Sequence, residues 1–148
     1  MTVEPIHDLP DFDGNDGLLA VVIRSTPLPF GTHFVTEPHE SQQVGLIHYT
    51  AGHRIAPHKH QEVVRQVRMT QEVLFIRRGV VRVSLFNTLG VPVKEVTLAS
   101  GEAIVLLNGG HGFEFLTECE LIEAKNGPYA GINDKVCLGP AEGAVSTP

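Results

Sequence analysis

The sequence predicts an all-β fold built from short antiparallel strands. Runs of about five to eight apolar and β-branched residues recur along the chain, and Gly, Pro, Asn or other polar residues separate them. Helical periodicity is nearly absent. Nine such runs within 148 residues favour a closed or double-sheet β architecture. A chain of this length buries one continuous core, so we expect residues 1–148 to form a single domain.

The predicted strands cover most of the chain between residue 18 and residue 125. In order they are residues 18–24, 32–36, 44–50, 72–77, 80–86, 91–98, 103–107, 112–116 and 121–125. In the fifth of these, Val81, Val83 and Leu85 alternate with Arg82 and Ser84. Because side chains of a strand alternate between two faces, this pattern indicates one face on a core and the other in solvent.

The connections between strands are short, and two of them predict β-hairpins. Residues 78–79 join the fourth predicted strand to the fifth, and residues 87–90 join the fifth to the sixth. The chain ends have a different composition. Residues 1–15 and 140–148 are rich in Pro, Gly and small residues, and we expect them to be loose ends or dimer arms.

Composition and charge exclude several functional classes. The formal net charge of -6 repels a polyanion, so no nucleic-acid partner is expected. No apolar run approaches the roughly 18 residues of a membrane span, and the acidic N-terminus lacks the pattern of a signal peptide. We therefore expect a cytoplasmic protein without a membrane partner, in which Cys119 and Cys137 stay reduced.

Two histidines one residue apart give the first indication of a metal site. His58 and His60 would project from the same face of a strand, since strand side chains repeat every second residue. Two imidazoles on one face supply two neutral nitrogen donors, which first-row metals bind well. The other histidines are expected to be ordinary polar side chains: His7, His33, His39, His48 and His53.

A carboxylate and a third imidazole extend this pattern. Glu72 opens a predicted strand in the pattern E-x6-G, and His111 follows a strand and a glycine turn. The carboxylate adds a hard anionic ligand. Glu62 is a rival, because it continues the every-second-residue series of the two neighbouring histidines. Three imidazoles and one carboxylate would leave metal positions open for water, oxygen or a substrate.

The spacing of these residues resembles the first motif of the cupin superfamily, G-x5-H-x-H-x3or4-E-x6-G. Its fixed positions are filled by Gly52, His58, His60, Glu72 and Gly79. The gap between the second histidine and the glutamate is longer here than in the family motif.

The second cupin motif, G-x5-P-x-G-x2-H-x3-N, is matched in part. Gly101, Gly109 and His111 fill three of its positions, while Leu107 replaces the proline and Phe115 replaces the asparagine. Together the two motifs span residues 52–111.

The resemblance implies a fold, a cofactor and a class of partner. The fold would be a single cupin-type double-stranded β-helix, a jelly-roll barrel. The cofactor would be one divalent metal ion held by His58, His60, Glu72 and His111. These ligand types accept Fe, Mn, Ni, Zn and Cu alike. Relatives include oxygenases, isomerases, epimerases and decarboxylases, so we expect an enzyme acting on a small polar or anionic metabolite, for example a sugar. Cupins commonly pair through edge strands, which implies a homodimer.

Two other functions stay open at this point. The chain would be a non-catalytic ligand-binding or sensor module if its metal shell were closed or its pocket lacked a titratable group. It would be a metal-free structural barrel if the purified protein held no stoichiometric metal.

The long gap of the first motif carries basic residues. Arg65 and Arg68 lie between two predicted ligands, and their guanidinium groups suit a carboxylate or phosphate. We expect them to form a lid or anion clamp, with Arg77 and Lys125 as further members of the substrate-binding patch. The alternative is a solvated loop with ordinary surface charges.

Overall fold

A computed structural model describes residues 2–8 and 17–138, apart from the side chains of residues 132 and 133. The described residues form ten strands and one 3-10 helix at Gly131–Asp134, which confirms the all-β class. The strands are β1 Val3–His7, β2 Leu18–Ile23, β3 Gly31–Phe34, β4 Gly45–His48, β5 Glu72–Arg78, β6 Val80–Phe86, β7 Pro92–Ala99, β8 Ala103–Leu106, β9 Gly110–Phe115 and β10 Glu120–Lys125.

One of these strands falls in a segment that was expected to be loose. β1 pairs with β2 over its whole length, from Val3 opposite Ile23 to His7 opposite Leu18. The remainder of the 1–15 segment beyond residue 8 and the 140–148 tail lie outside the described residues.

The strands form three antiparallel sheets. Sheet A has the order β1-β2-β8-β5-β10, sheet B pairs β3 with β4, and sheet C has the order β7-β6-β9. Among the described strands no sheet closes on itself, so the predicted closed barrel is not confirmed. β10 ends sheet A and β9 ends sheet C, and each has one edge that pairs with no described strand. The inner space between the two sheets is therefore open along this side.

The main core lies between sheets A and C. Alternate residues of β5 and β6 point into it, because every second residue of a strand faces the same side. The predicted alternation in β6 is confirmed, since Val81, Val83 and Leu85 are all buried. The buried cluster also contains Ile6, Ala20, Val22, Leu74, Ile76, Val96, Leu98, Ile104 and Leu106.

A second, smaller core covers the other face of sheet A. It contains Val21, Ile23, Ala103, Val105 and Leu107, with sheet B and its neighbouring residues packed against them. β2 and β8 are thus covered on both faces. This explains why their sequences are uninterrupted apolar runs instead of alternating ones.

One of the two predicted hairpins is confirmed and the other is wrong. β6 and β7 pair across a turn at residues 87–91, where the amide of Gly90 donates to the carbonyl of Asn87. β5 and β6 do not pair with each other. Instead the chain crosses from sheet A to sheet C at Gly79, whose φ is 91°.

The segment between β4 and β5 contains no strand, and residues 50–70 are all exposed. The prediction that His58 and His60 lie on a strand is therefore wrong. The physical reason is the composition of the two faces that a strand would have here. The face of the two histidines has one apolar neighbour, Ala56, and on the other face Ile55 and Pro57 are followed by the charged Lys59. Burial of apolar surface alone thus gives this segment little tendency to join a sheet.

Candidate metal centre

Glu72 and His111 meet in the space between sheets A and C. Glu72 is the first residue of β5 and shares its inward face with Leu74 and Ile76. His111 stands opposite Leu85 in the β6–β9 register, so it faces the same core from sheet C. Its Nε2 lies 3.2 Å from Oε2 of Glu72. Two predicted ligands, 39 positions apart in the chain, are thus in direct contact.

Glu72 is nearly enclosed, while its partners reach solvent. The side chain of Glu72 is 6% exposed, that of His111 is 28% exposed, and that of Lys125 is 24% exposed. Lys125 is directly opposite Glu72 in the β5–β10 register, with its Nζ 4.0 Å from Oε1. The carboxylate therefore has an imidazole beside one oxygen and an ammonium group beside the other.

These neighbours decide the protonation state of Glu72. The hydrogen bond with His111 lowers the pKa of the carboxyl below its usual range, and burial opposes this by favouring the neutral form. The positive charges of His111, Lys125 and Lys135 lower it further. Glu72 is consequently an ionised carboxylate at neutral pH, which is the form that binds a cation.

The residue before Glu72 fixes the start of β5. Gln71 is buried, and its backbone amide donates to Oδ1 of Asn126 at 2.8 Å. Its side-chain oxygen accepts from Oγ of Ser41 and from the backbone amide of Gln42, both at 2.9 Å. The sequence analysis missed this support. In the sequence, the one indication of these hydrogen bonds is a polar Gln directly before the predicted ligand Glu72.

A cavity of about 520 Å³ lies beside Gln71, and its lining residues include neither Glu72 nor His111. Leu107 and Asn108 also line it, together with Glu37 and Glu40. Since Gln71 and Glu72 are adjacent, their side chains point to opposite faces of sheet A. The cavity is therefore separate from the Glu72–His111 pair.

The structure does not bring His58 and His60 to this pair. Both lie in the exposed 50–70 segment, with their ring centroids 5.4 Å apart, and Nδ1 of His58 is 3.0 Å from the carbonyl oxygen of Ala56. Within residues 2–8 and 17–138 no group of three or more His, Cys, Asp or Glu side chains is arranged to hold a metal ion. Glu62, the rival carboxylate, is in the same exposed segment.

The predicted substrate-binding arginines also lie away from the pair. Arg65 and Arg68 belong to the exposed segment, and Nη1 of Arg65 lies 3.5 Å from the carbonyl of Val63. Arg77 alternates with Ile76 and so faces the outer side of sheet A, where its Nε is 3.6 Å from a carboxylate oxygen of Glu120. Lys125 is the one member of the predicted basic patch that contacts Glu72.

Other histidines have local partners, and Nε2 of His39 lies 3.5 Å from a carboxylate oxygen of Glu40. Nε2 of His33 is 2.8 Å from the carbonyl of Phe30, and Nδ1 of His48 is 2.9 Å from the carbonyl of Leu28. The ring of His53 stacks on Tyr49 at 3.8 Å. These contacts fit the expectation of ordinary polar side chains.

The separation of Glu72 and His111 fits a shared metal ion. Nitrogen and oxygen ligands lie about 2.0 to 2.2 Å from zinc, so two ligands at about 90° to 110° around one ion are about 3.0 to 3.5 Å apart. The observed 3.2 Å between Nε2 and Oε2 falls in this range. The two side chains need little rearrangement to become neighbouring ligands.

No protein-family model, curated protein or solved structure matches this chain. The described residues also contain no helix that is long and apolar enough to cross a membrane.

Proposed function

We propose that this protein is a small cupin-type metalloprotein in which Glu72 and His111 are the fixed ligands of one divalent metal ion. The observation that carries the proposal is their 3.2 Å contact between two different sheets. An ionised carboxylate and an adjacent imidazole are ligand types that first-row metals bind, so one metal ion would use both groups.

His58 and His60 complete the ligand set in this proposal. Metal sites in proteins commonly use three or four protein ligands, so two are too few. The unpaired edges of β9 and β10 border the open side next to Glu72 and His111, and the 50–70 segment is exposed along its whole length. Eleven residues separate His60 from Glu72, and such a stretch can span up to about 40 Å when extended.

Metal binding would supply what the segment lacks by itself. The segment has exposed apolar side chains, among them Ile55, Val64 and Met69, but no described strand or sheet covers them in the metal-free protein. Coordination by two imidazoles contributes free energy directly to folding of the segment that carries them. We therefore propose that residues 50–70 close over the inner space when the ion is present.

The chemistry of such a site is metal-assisted reaction of a small polar or anionic molecule. When bound, the ion supplies Lewis acidity toward a carbonyl or hydroxyl oxygen. The chain itself contributes an ionised carboxylate, an imidazole on the opposing sheet, and the ammonium group of Lys125. Closure of residues 50–70 would exclude water and bring Arg65 and Arg68 toward a bound anion.

The test is equilibrium dialysis of untagged protein against Fe(II), Mn(II), Ni(II), Zn(II) and Cu(II), followed by elemental analysis. We expect one equivalent of metal in the wild type. The Glu72→Gln and His111→Gln variants should lose at least about a hundredfold in affinity, since each removes a ligand. The His58→Ala/His60→Ala double variant should also bind weakly.

His39→Ala is the matched control, because it removes an exposed imidazole that lines the separate cavity beside Gln71 and not the Glu72–His111 pair. It should bind metal as the wild type does. A wild type that takes up none of the five ions, or a Glu72→Gln variant with unchanged uptake, would refute the proposal.

A further inference from the structure

Lys125 is the one member of the expected substrate-binding patch that lies against Glu72, and the metal-site proposal does not say what it binds. It lies on the inward face of β10, in register with Glu72, and its side chain is 24% exposed. Its Nζ is 5.0 Å from the ring centroid of Tyr129 and 4.0 Å from Oε1 of Glu72. The ammonium group is thus held between an aromatic face and a carboxylate, at the open side of the sandwich.

The two oxygens of Glu72 have different neighbours. Oε2 is beside His111, where the proposed metal ion would bind, and Oε1 is beside Lys125. A divalent ion bound to Glu72 carries two positive charges, whereas the carboxylate of Glu72 carries one negative charge. Glu72 would then no longer balance the charge of Lys125, and the acidic side chain two residues away on the same face of β10, Glu123, is exposed to solvent.

We propose that Lys125 is the anion-binding residue of this site and that it receives the carboxylate of a small 2-hydroxy or 2-oxo acid. This inference rests on the proposed metal site. Because the ammonium group and the metal position adjoin the same carboxylate, one small molecule can place its carboxylate on Lys125 and a neighbouring oxygen at the metal. Two adjacent positive centres make an anion the favoured ligand.

A carboxylate fits this arrangement better than a phosphate. Lys125 is a compact point charge with three donors, and a phosphate dianion is usually bound by several donors or by a fork of guanidinium groups. In the described part of the chain, Arg65, Arg68 and Arg77 do not contact Glu72. Before residues 50–70 close, Lys125 is the one cationic side chain in contact with Glu72, which matches a single carboxylate. Closure would add Arg65 and Arg68, and the phosphate titration below decides whether they make a dianion the preferred ligand.

The experiment measures zinc binding first and ligand binding second, by titration calorimetry on the full chain. Zinc is titrated into wild type, Lys125→Met, Lys125→Gln and Lys135→Met. Glycolate, imidazole and inorganic phosphate are then titrated into each zinc-loaded protein. Lys135→Met is the matched control, because Lys135 also lowers the pKa of Glu72. Imidazole is a metal ligand without a carboxylate.

We expect both Lys125 variants to bind zinc at least as tightly as the wild type and to bind glycolate at least about tenfold more weakly, with imidazole affinity unchanged. Lys135→Met should bind glycolate as the wild type does. A purely structural role for Lys125 would instead change zinc affinity and leave glycolate affinity intact.

The outcomes separate the two proposals. Equal glycolate affinity in wild type and Lys125→Met, with zinc bound in both, would overturn the role of Lys125 and leave the metal site standing. Preference for phosphate over glycolate in the wild type would overturn the assignment of a carboxylate ligand. Failure of the wild type to bind zinc, or any of the other divalent ions, would overturn both proposals.

Discussion

Gly79 is a single residue on which the path of the chain depends. It joins β5 of sheet A to β6 of sheet C with a φ of 91°, a conformation that side chains with a Cβ rarely adopt. A Cβ at this position would collide with the carbonyl oxygen of Glu118 and with Cys119. The glycine of the E-x6-G pattern is therefore required by the crossing between sheets.

Gly79→Ala should destabilise the fold by about 2 kcal/mol or more, because backbone strain and a steric clash add together. Urea unfolding monitored by circular dichroism measures this. Gly112→Ala is the matched control, since Gly112 lies inside β9 with open space where a Cβ would be. That control should change stability by less than about 1 kcal/mol. If the two substitutions lowered the free energy of unfolding equally, Gly79 would not be required for the crossing from sheet A to sheet C.

At the same scale, the structure brings together two of the four ligands that the sequence predicted and leaves the other two apart. Glu72 and His111 were selected by residue type and spacing, and the structure places them in contact. His58 and His60 were selected in the same way, yet their segment is exposed. The difference is physical. Glu72 and His111 lie on strands that apolar neighbours hold in a core, whereas the histidine segment has no such neighbours.

The 50–70 segment is the element that would complete the proposed metal site. It contains four trypsin sites, at Arg54, Lys59, Arg65 and Arg68. Because the whole segment is exposed, we expect these sites to be cut rapidly in the metal-free protein. Saturating zinc should slow cleavage at them by at least about tenfold, since closure would remove the segment from solvent.

Mass spectrometry of the tryptic fragments distinguishes these sites from others in the chain. Arg82, on β6, serves as an internal reference whose cleavage should not depend on the metal. The His58→Ala/His60→Ala variant should be cut at the same rate with and without zinc. Protection in that variant, or no protection in the wild type, would show that the two histidines do not close the segment.

Arg24 links elements at the opposite end of the core. It follows β2, and its guanidinium group donates to both carboxylate oxygens of Glu4 at 3.0 and 3.1 Å. It also donates to the carbonyl of Thr97 on β7 at 2.9 Å and to Glu102 at 3.2 Å. One side chain therefore connects sheet A to sheet C. Its hydrogen bond lowers the pKa of Glu4 from the usual value.

Arg24→Met should lower stability by about 1 kcal/mol at pH 7, as this cluster is partly exposed. The folded-state pKa of Glu4 is below its unfolded value of about 4.3, so its contribution is complete above that pH and disappears as the pH falls through the folded-state pKa. The stability difference between wild type and variant, measured by urea unfolding, should therefore narrow between pH 5 and pH 3. A difference that stays constant over this range would exclude Glu4 as the responsible carboxylate.

At the level of elements, local patterns predicted strands well and pairings less well. Nine strands were expected near positions where the structure has β2 to β10, and the turn at residues 87–91 was predicted as a hairpin. The connection at residues 78–79 was also predicted as a hairpin, although it crosses between sheets. A two-residue link containing Gly is compatible with both paths, and contacts far along the chain decide between them.

For the whole molecule, local sequence patterns do not specify which distant strands pair with each other. The all-β class follows from strand periodicity, but the order β1-β2-β8-β5-β10 depends on pairings between distant strands that no local pattern specifies. The closed barrel was expected from resemblance, and the described strands leave an open side between β9 and β10. The homodimer stays a prediction, and the end strands of sheets A and C, β1, β10, β7 and β9, each offer an edge for strand pairing between copies.

The central claim is that Glu72 and His111 are two ligands of one ion, and a crystal structure of the zinc-loaded protein tests it most directly. An anomalous difference map should show one peak between Oε2 of Glu72 and Nε2 of His111, about 2.0 to 2.2 Å from each, with His58 and His60 as the remaining protein ligands. A peak at any other place, with the 3.2 Å contact between Glu72 and His111 unchanged, would contradict the account.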